Sequence, residues 1–179
     1  MTEYDAIVYD LDGTLVHLAV DWAAATDDVR DVYESANLEP PGKTLWELLE
    51  AAEGTDFHTD VERVIAAHER EGARTSRRLA HADELLTREV PVGVCSLNCE
   101  AACRIALEEH GLLEAVEVVV GRDTVTNRKP HPEPLLEAVH GLGVEPERTL
   151  FVGDSARDKA TADRAGTKFE YVGDGPSGH

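Results

Sequence analysis

The chain has 179 residues, which is enough to bury the core of one ordinary domain with a small inserted subdomain, but not two full-sized domains. Thirty-six acidic residues against seventeen basic ones give a net charge of -19, which repels nucleic acids and anionic membrane surfaces, so we expect neither as a partner. No apolar run approaches the ~20 residues that cross a bilayer, and residues 1–5 lack a basic leader, so a soluble cytoplasmic protein is expected.

Five short apolar runs, several rich in β-branched residues, predict buried strands. They are residues 5–10, 92–95, 116–120, 149–152 and 169–172. Helical patterns at residues 100–110, 134–142 and 156–165 lie between the later runs, and each is followed by a glycine. This alternation predicts an α/β fold with a doubly wound, Rossmann-like parallel sheet of five strands.

Residues 16–78 contain no convincing strand but show three amphipathic helical patterns. These patterns predict a small α-helical cap inserted into the α/β domain. We expect residues 1–16 and 79–179 to form the core and residues 17–78 to form the cap. A further helix near Leu85 should return the chain to the core. The apolar stripes are Trp22, Thr26, Val29, Val32, Tyr33 and Ala36; Leu45, Leu48 and Leu49; and Val61, Val64, Ile65 and His68.

Three cysteines, Cys95, Cys99 and Cys103, follow one another at four-residue intervals. They are too few and too clustered for the disulfide framework of a secreted protein. The spacing allows a metal site, but Cys95 ends a strand-like run and the other two fall on the following helix. We therefore favour buried structural cysteines over a metal cluster.

Polar side chains suited to phosphate chemistry follow three of the predicted strands. Because ligands of open parallel sheets bind beyond the carboxyl ends of the strands, these side chains are expected to converge. A lysine between the third and fourth strands can join them. The residues are Asp10 and Asp12 after the first strand, Ser96 and Asn98 after the second, Asp154 and Asp158 after the fourth, and Lys129.

Four segments in this order resemble the motifs of the haloacid dehalogenase superfamily. They are Asp10-Leu11-Asp12-Gly13-Thr14-Leu15, Ser96 after an apolar strand, Lys129-Pro130-His131-Pro132, and Gly153-Asp154-Ser155-Ala156-Arg157-Asp158. The long first insertion resembles that of phosphoglycolate-phosphatase-like members with a helical cap. The resemblance implies a phosphatase that uses Mg²⁺ and an aspartyl-phosphate to hydrolyse a small phosphorylated metabolite.

The resemblance also implies residue roles that elementary chemistry supports. Asp10 would attack phosphorus, and Asp12 would protonate the departing alkoxide and then activate water. Mg²⁺, which prefers oxygen ligands, would be held by Asp10, Asp154 and the backbone carbonyl of Asp12. In a regular strand the Asp10 and Asp12 side chains would face opposite ways, so the chain must bend there, and Gly13 gives it the freedom to do so.

The remaining motif residues would bind the phosphate or support the residues that do. The resemblance implies that Ser96 and Lys129 bind phosphate oxygens or neutralise their charge, with Asn98 beside them, and that Asp158 holds Lys129 or a metal-bound water. Each also has a simpler interpretation. Ser96 or Asn98 can cap the next helix, Lys129 can be a surface residue, and the aspartates can favour a helix N-terminus.

Substrate recognition is not readable from the cap sequence. We expect packing or solvated-face roles for His17, Trp22, His131 and the arginines of the cap. The choice of phosphoglycolate as the substrate rests on resemblance alone. A sugar-phosphate mutase and a non-enzymatic phospho-receiver stay open as alternative functions, and the sequence also leaves a homo-oligomer open. Asp12 argues against dehalogenation, and Leu11 between the two aspartates argues against a receiver. Only four of the seventeen cations are lysines, which resembles proteins adapted to high salt.

Overall fold

A computed structural model describes residues 3–173, and a parallel five-stranded sheet forms its centre. The strands in chain order are β1 (Ala6–Tyr9), β2 (Val16–His17), β3 (Arg77–Arg78), β4 (Val92–Cys95), β5 (Val118–Val120), β6 (Thr149–Gly153) and β7 (Lys168–Tyr171). The sheet has the order β5-β4-β1-β6-β7, and all its pairs are parallel. The predicted parallel five-stranded sheet is therefore confirmed.

Seven α-helices within the described part of the chain surround this sheet or extend from it. They are α1 (Trp22–Ser35), α2 (Leu45–Ala52), α3 (His58–Arg74), α4 (His81–Leu85), α5 (Glu100–Glu109), α6 (Glu133–Leu142) and α7 (Ala156–Ala165). Within residues 3–173, none of these helices combines the length and apolar character needed to span a bilayer. Both α6 and α7 end at a glycine in the left-handed region, Gly143 and Gly166, as their sequence patterns predict.

The two faces of the sheet carry separate apolar layers because side chains alternate along each strand. Ile7 and Tyr9 point to the layer formed with α4 and α5. Ala6 and Val8 point to the opposite layer, which α6 and α7 cover. Helices on both faces explain why the strands read as nearly continuous apolar runs. They make the fold doubly wound, as predicted.

The three helices α1, α2 and α3, which we call the cap helices, share an apolar cluster of their own. Tyr33 lies in this cluster and donates its hydroxyl hydrogen bond to the carbonyl of Leu48 at 2.6 Å. Asp21 caps α1, and Thr44 with Glu47 forms a capping box on α2. The three predicted helical patterns are confirmed, whereas the division into residues 17–78 and the rest stays a prediction.

The expectation that residues 16–78 contain no strand is wrong at both ends of that segment. Strands β2 and β3 form a short antiparallel ribbon in which Val16 pairs with Arg78 and His17 with Arg77. Two-residue strands are too short to show an alternating pattern, so the sequence gives no sign of them. The ribbon joins the two ends of the segment that carries the cap helices.

Candidate active site

The predicted site residues gather at the carboxyl end of β1, where the sheet topology creates a crevice. Strand β1 lies between β4 and β6, and the chain connections diverge to the two sides of it. Such a switch point is the usual ligand site of an open α/β sheet. Asp10 follows β1, Ser96 follows β4 and Asp154 follows β6. The fold therefore brings three of the four motifs to one edge.

Three carboxylates, two from loops and one from the first turn of α7, form one buried group, which we call the carboxylate cluster. It consists of Asp10, Asp154 and Asp158, and one oxygen of each lies within 4.8 Å of the others. The three residues are 6%, 7% and 1% exposed. Oxygen donors at this spacing suit a hard divalent cation, and Mg²⁺ prefers such ligands. The donor set fits the ion that the motifs imply.

Two glycines leave the space that these carboxylates fill. A Cβ atom on Gly13 would lie 2.0 Å from Oδ2 of Asp154, and Gly13 also has a left-handed φ of +86°. A Cβ atom on Gly153 would lie 2.6 Å from both Cβ and Oδ2 of Asp158. The sequence analysis assigned Gly13 to the bend of the chain, and close packing against Asp154 is a second reason for glycine there.

Lys129 joins the carboxylate cluster from the loop before α6. Its Nζ donates to Oδ1 of Asp10 at 2.9 Å, to Oδ1 of Asp158 at 2.6 Å and to the carbonyl of Cys95 at 3.2 Å. An ammonium group has three donors, so these bonds use them all. Burial disfavours the charged amine, but Asp10 and Asp158 outweigh it and raise the pKa of Lys129, which stays protonated.

The aspartates of the cluster differ in how well they are compensated. Burial, followed by the charge of Asp158, raises the pKa of Asp10 well above its ordinary value despite the nearby Lys129. Burial also opposes ionisation of Asp158, but Lys129 and the hydrogen bonds from Ser155 and the amide of Asp154 lower its pKa. Asp158 thus contacts Lys129 directly, one of its two predicted roles.

Asp12 lies beside the cluster and not within it. Its Oδ1 accepts a hydrogen bond from the amide of Leu18 at 3.0 Å, and its side chain borders the same cavity as Asp10. The chain turns sharply after it, since the amides of Thr14 and Leu15 both donate to the carbonyl of Leu11. This turn is the predicted bend that allows both aspartates to reach one cavity.

Ser96 and Asn98 form a tight turn after β4. The hydroxyl of Ser96 donates to Oδ1 of Asn98 at 3.0 Å, and the amide of Asn98 donates to Oγ of Ser96 at 3.1 Å. The alternative in which either side chain caps α5 is wrong, because Cys99 occupies the cap position without a side-chain bond. Instead, Oδ1 of Asp123 accepts a hydrogen bond from the backbone amide of Glu100 at 2.8 Å, at the start of α5.

The cavity above the carboxylate cluster has a volume of about 480 Å³. His17, Trp22 and Trp46 line this cavity together with Asp10, so the first two border the site although the sequence suggested only packing or solvated roles. A wider cavity of about 1040 Å³ adjoins it and shares Trp46 and Arg157 with it. His131 borders only this second cavity.

Sequence reasoning did not identify a second buried group of charges beside the site. Arg122, after β5, forms ion pairs with Glu62 and Glu69 of α3 at 2.9 and 2.8 Å. One signal was present, because Glu69 continues the apolar stripe of Val61 and Ile65 at four-residue steps. A charged residue on that face requires a buried partner.

The cysteines play no part in a metal cluster within residues 3–173, where the ligand-type groups that converge are Asp10, Asp154 and Asp158. Cys95, Cys99 and Cys103 are buried free thiols. Burial raises the pKa of Cys95 and that of Cys99 to about 12. All three thiols therefore lie in the interior, as the sequence analysis expected.

The sheet, the cap helices and the carboxylate cluster at the switch point define a doubly wound α/β protein with an aspartate-centred site. Residues 7–172 match the family described as haloacid dehalogenase-like hydrolase, and the chain belongs to this family of enzymes.

Among curated relatives, the phosphoglycolate phosphatase of Rhodospirillum rubrum is 34% identical over 188 residues, covering 90% of this chain and 76% of the relative. The N-acetylmuramic acid 6-phosphate phosphatase of Pseudomonas aeruginosa is 31% identical over 182 residues, covering 93% and 80%. The chain is thus a phosphoglycolate-phosphatase-like member of the family.

Solved structures share the fold at lower identity. CbbY from Rhodobacter sphaeroides in complex with phosphate has a TM-score of 0.71 at 16% identity, covering 97% of this chain and 87% of that one. A HAD phosphatase from Thermococcus onnurineus has a TM-score of 0.67 at 19% identity, covering 98% and 89%.

Proposed function

We propose that the protein hydrolyses a small phosphate monoester in a Mg²⁺-dependent reaction through a phosphoryl group carried on Asp10. The observation that supports this most strongly is the carboxylate cluster, whose ligand oxygens lie within 4.8 Å of one another. Lys129 forms ion pairs with two of its members, Asp10 at 2.9 Å and Asp158 at 2.6 Å. Three buried carboxylates this close together repel one another, and a divalent ion held by their oxygens would offset that repulsion.

In the first step, an Oδ atom of Asp10 forms a bond to phosphorus while the ester bond between phosphorus and the leaving oxygen breaks. Asp12 gives its proton to the departing alkoxide. In the second step, Asp12 takes a proton from water, which attacks phosphorus and releases inorganic phosphate and Asp10. Mg²⁺ held by Asp10, Asp154 and the Asp12 carbonyl would reduce the repulsion between carboxylate and phosphate.

The phosphate would lie beside the turn after β4, where Asn98 would donate from its side-chain amide and Ser96 would donate by exchanging its bond to Asn98. Lys129 has no spare donor, since its three bonds go to protein oxygens. We therefore propose that it acts by its charge and by orienting Asp10, and that it reaches phosphate only by exchanging one of these bonds.

For the leaving group we propose a small organic acid, of which phosphoglycolate is the first candidate. The two relatives described above are named for phosphoglycolate and N-acetylmuramic acid 6-phosphate, and both compounds carry a carboxylate besides the phosphate. Arg157 borders both cavities, and no ion pair or hydrogen bond of its guanidinium is found within residues 3–173. An arginine there can bind a carboxylate through two parallel hydrogen bonds.

The test is release of inorganic phosphate from a panel of metabolites with Mg²⁺, at low and at molar salt. The panel includes phosphoglycolate and, as an ester with an uncharged leaving group, glycerol phosphate. We expect phosphoglycolate to be preferred and Asp10→Asn and Asp12→Asn to abolish turnover. Arg157→Gln should raise KM for phosphoglycolate more than for glycerol phosphate. Equal effects on both would reject the proposed role of Arg157.

The same assay separates the rival activities. A stable phosphoprotein without turnover would support a phospho-receiver, and isomerisation of a sugar phosphate without phosphate release would support a mutase. The molar-salt arm tests adaptation to high salt, which we propose together with a cytoplasmic location from the net charge of -19 and the scarcity of lysine.

A further inference from the structure

Every N–H donor of the buried Arg122 guanidinium is hydrogen-bonded, which a surface ion pair does not require. Arg122 is 5% exposed. Its Nε donates to Oε1 of Glu62 at 3.1 Å, its Nη1 to Glu69 at 2.8 Å and to the carbonyl of Leu97 at 2.9 Å, and its Nη2 to Glu62 at 2.9 Å and Glu69 at 2.8 Å. A guanidinium has five N–H donors, so each one is bonded. We call Arg122, Glu62 and Glu69 the Arg122 clamp.

Glu69 is the deepest member of the clamp and is fully buried on α3. Besides the two bonds from Arg122, its carboxylate accepts the side-chain amide of Asn98 at 2.9 Å and the backbone amide of Cys99 at 3.3 Å. A buried carboxylate is tolerated only with such compensation. Glu69 therefore accepts from four donors, two on Arg122 and two in the turn after β4, and it ties a cap helix to that turn.

The contacts of the clamp fall on three consecutive residues of the turn proposed to bind phosphate. Leu97 is bonded through its carbonyl, Asn98 through its side chain and Cys99 through its amide. Asn98 in turn exchanges two hydrogen bonds with Ser96. Any displacement of Glu69 is thus passed to Ser96 through Asn98.

The clamp also supports the cavity wall on the cap side. The guanidinium carbon of Arg122 lies 5.7 Å from the centroid of the Trp46 ring, within the range of a cation–π contact. Trp46 borders both cavities, and Leu97 and Asn98 border the one above Asp10. One buried arginine therefore touches the turn, a cap helix and an aromatic wall of the site.

We infer that Arg122 is a positioning residue, which together with Glu69 fixes the orientation of Ser96 and Asn98 toward the substrate phosphate. This inference rests on the proposed phosphatase function. Stability alone is a weak reason for such a cluster, since buried ion pairs replaced by apolar residues of similar volume often leave stability unchanged or improved. Orientation of donors, by contrast, is lost in that replacement.

The test compares Arg122→Met and Glu69→Met with the double variant. Arg122→Met leaves two acids without their partner and should lower the thermal midpoint. The double variant removes the buried pair and should recover most of that loss. Its KM and the dissociation constant for inorganic phosphate with Mg²⁺ should nevertheless rise about tenfold, because Asn98 has lost its anchor. Wild-type values of both constants in the stable double variant would overturn the inference.

Asn98→Ala supplies a second, independent criterion. Alone, it should raise the phosphate dissociation constant about as much as the double variant does. Added to the double variant, it should change the constant little, because the two act through one path. If Asn98→Ala raised the phosphate dissociation constant of the double variant by the same factor as that of the wild type, the inference would be overturned. If the double variant does not fold, the same comparison is made with Arg122→Lys, which keeps the charge but not the paired bonds, and the same outcomes decide.

Arg63→Met is the matched control, since Arg63 lies on the same helix α3 and forms an exposed ion pair with Asp60. It should leave both constants unchanged. Calorimetric binding of phosphate needs no turnover, so it separates the two proposals. A wild-type protein that binds phosphate without hydrolysing esters would reject the phosphatase but leave the clamp testable. Failure to bind phosphate with Mg²⁺ would reject both.

Discussion

Two buried groups of charge lie side by side in this protein, and they are compensated to different degrees. In the Arg122 clamp, one cation with five donors meets two acids, and every donor is bonded. In the carboxylate cluster, Lys129 is bonded to two of the three acids, Asp10 and Asp158, and the pKa of Asp10 stays well above its ordinary value, mainly because of burial. The first arrangement suits a fixed framework, whereas the second suits a bound cation and leaves a carboxylate for chemistry.

The largest effect should come from Asp10→Asn, which removes the proposed nucleophile from the carboxylate cluster. We expect phosphatase activity to fall by about 10³-fold or more. The pKa of Asp10 is higher in the folded protein than in the unfolded chain. As pH rises through the range between these two pKa values, the free energy of unfolding of the wild type therefore falls. Without Mg²⁺ at neutral pH, the variant should therefore melt no lower than the wild type. The measurements are phosphate release and calorimetric melting.

Asp27→Asn is the control for this change, since Asp27 is exposed on α1. It should alter neither rate nor melting. Activity within tenfold of the wild type in Asp10→Asn would show that another group attacks phosphorus.

Gly13→Ala should have the next largest effect, because it forces Asp154 out of the carboxylate cluster. The new Cβ would lie 2.0 Å from Oδ2 of Asp154. We expect a loss of about 10²-fold in activity and a stability loss of about 1–3 kcal/mol. Gly111→Ala is matched, with φ of +68° but no atom within 4 Å of its Cβ position. It should cost about 1 kcal/mol and leave activity intact. Equal activity losses would refute the steric explanation.

Mg²⁺ should stabilise the wild type by about 2.7 kcal/mol when present at 100 times its dissociation constant, or about 5–10 °C in melting temperature. Asp154→Asn should abolish most of this gain because it removes a carboxylate that we propose as a Mg²⁺ ligand. Arg122→Met should melt lower overall but keep the gain. Thermal scans with and without Mg²⁺ check both. If Arg122→Met lost the gain and Asp154→Asn kept it, the roles of the two groups would be reversed.

The smallest effects concern two thiols, Cys95 beside the carboxylate cluster and Cys99 beside the Arg122 clamp. Because burial raises the pKa of Cys95 and Cys99 to about 12, a thiol reagent at pH 8 should label the native protein slowly and the unfolded protein fully. Arg122→Met should speed labelling of Cys99, whose amide is bonded to Glu69, more than that of Cys95. Labelling followed by peptide mapping distinguishes the two. Equal acceleration would indicate general loosening instead of release of the clamp.

Much of the sheet domain could be predicted because its signals are local. Apolar runs and glycine stops mark strands and helices, and Asp10, Asp154 and Lys129 lie in loops whose place follows from the parallel topology. The ribbon of β2 and β3 could not be predicted, since two-residue strands carry no periodicity. The crowding of Asp154 against Gly13 was equally hidden, because it depends on the distance between two loops.

The Arg122 clamp was missed for a different reason. Arg122 lies 53 positions from Glu69 and 60 positions from Glu62 in the chain. In addition, charged residues on an amphipathic helix are usually solvated. Glu69 on the apolar stripe of α3 was the one local sign, but nothing in the sequence tells which cation meets it. Partner choice between distant charged residues is set by tertiary packing, so it emerges only from coordinates.

The most direct measurement is to quench the protein with acid during turnover of phosphoglycolate and to locate the phosphoryl group by peptide mapping. A Mg²⁺-dependent phosphoryl group on Asp10 that is absent from Asp10→Asn is the predicted result. A phosphoryl group on Ser96, or turnover at full rate with none on any residue, would contradict it.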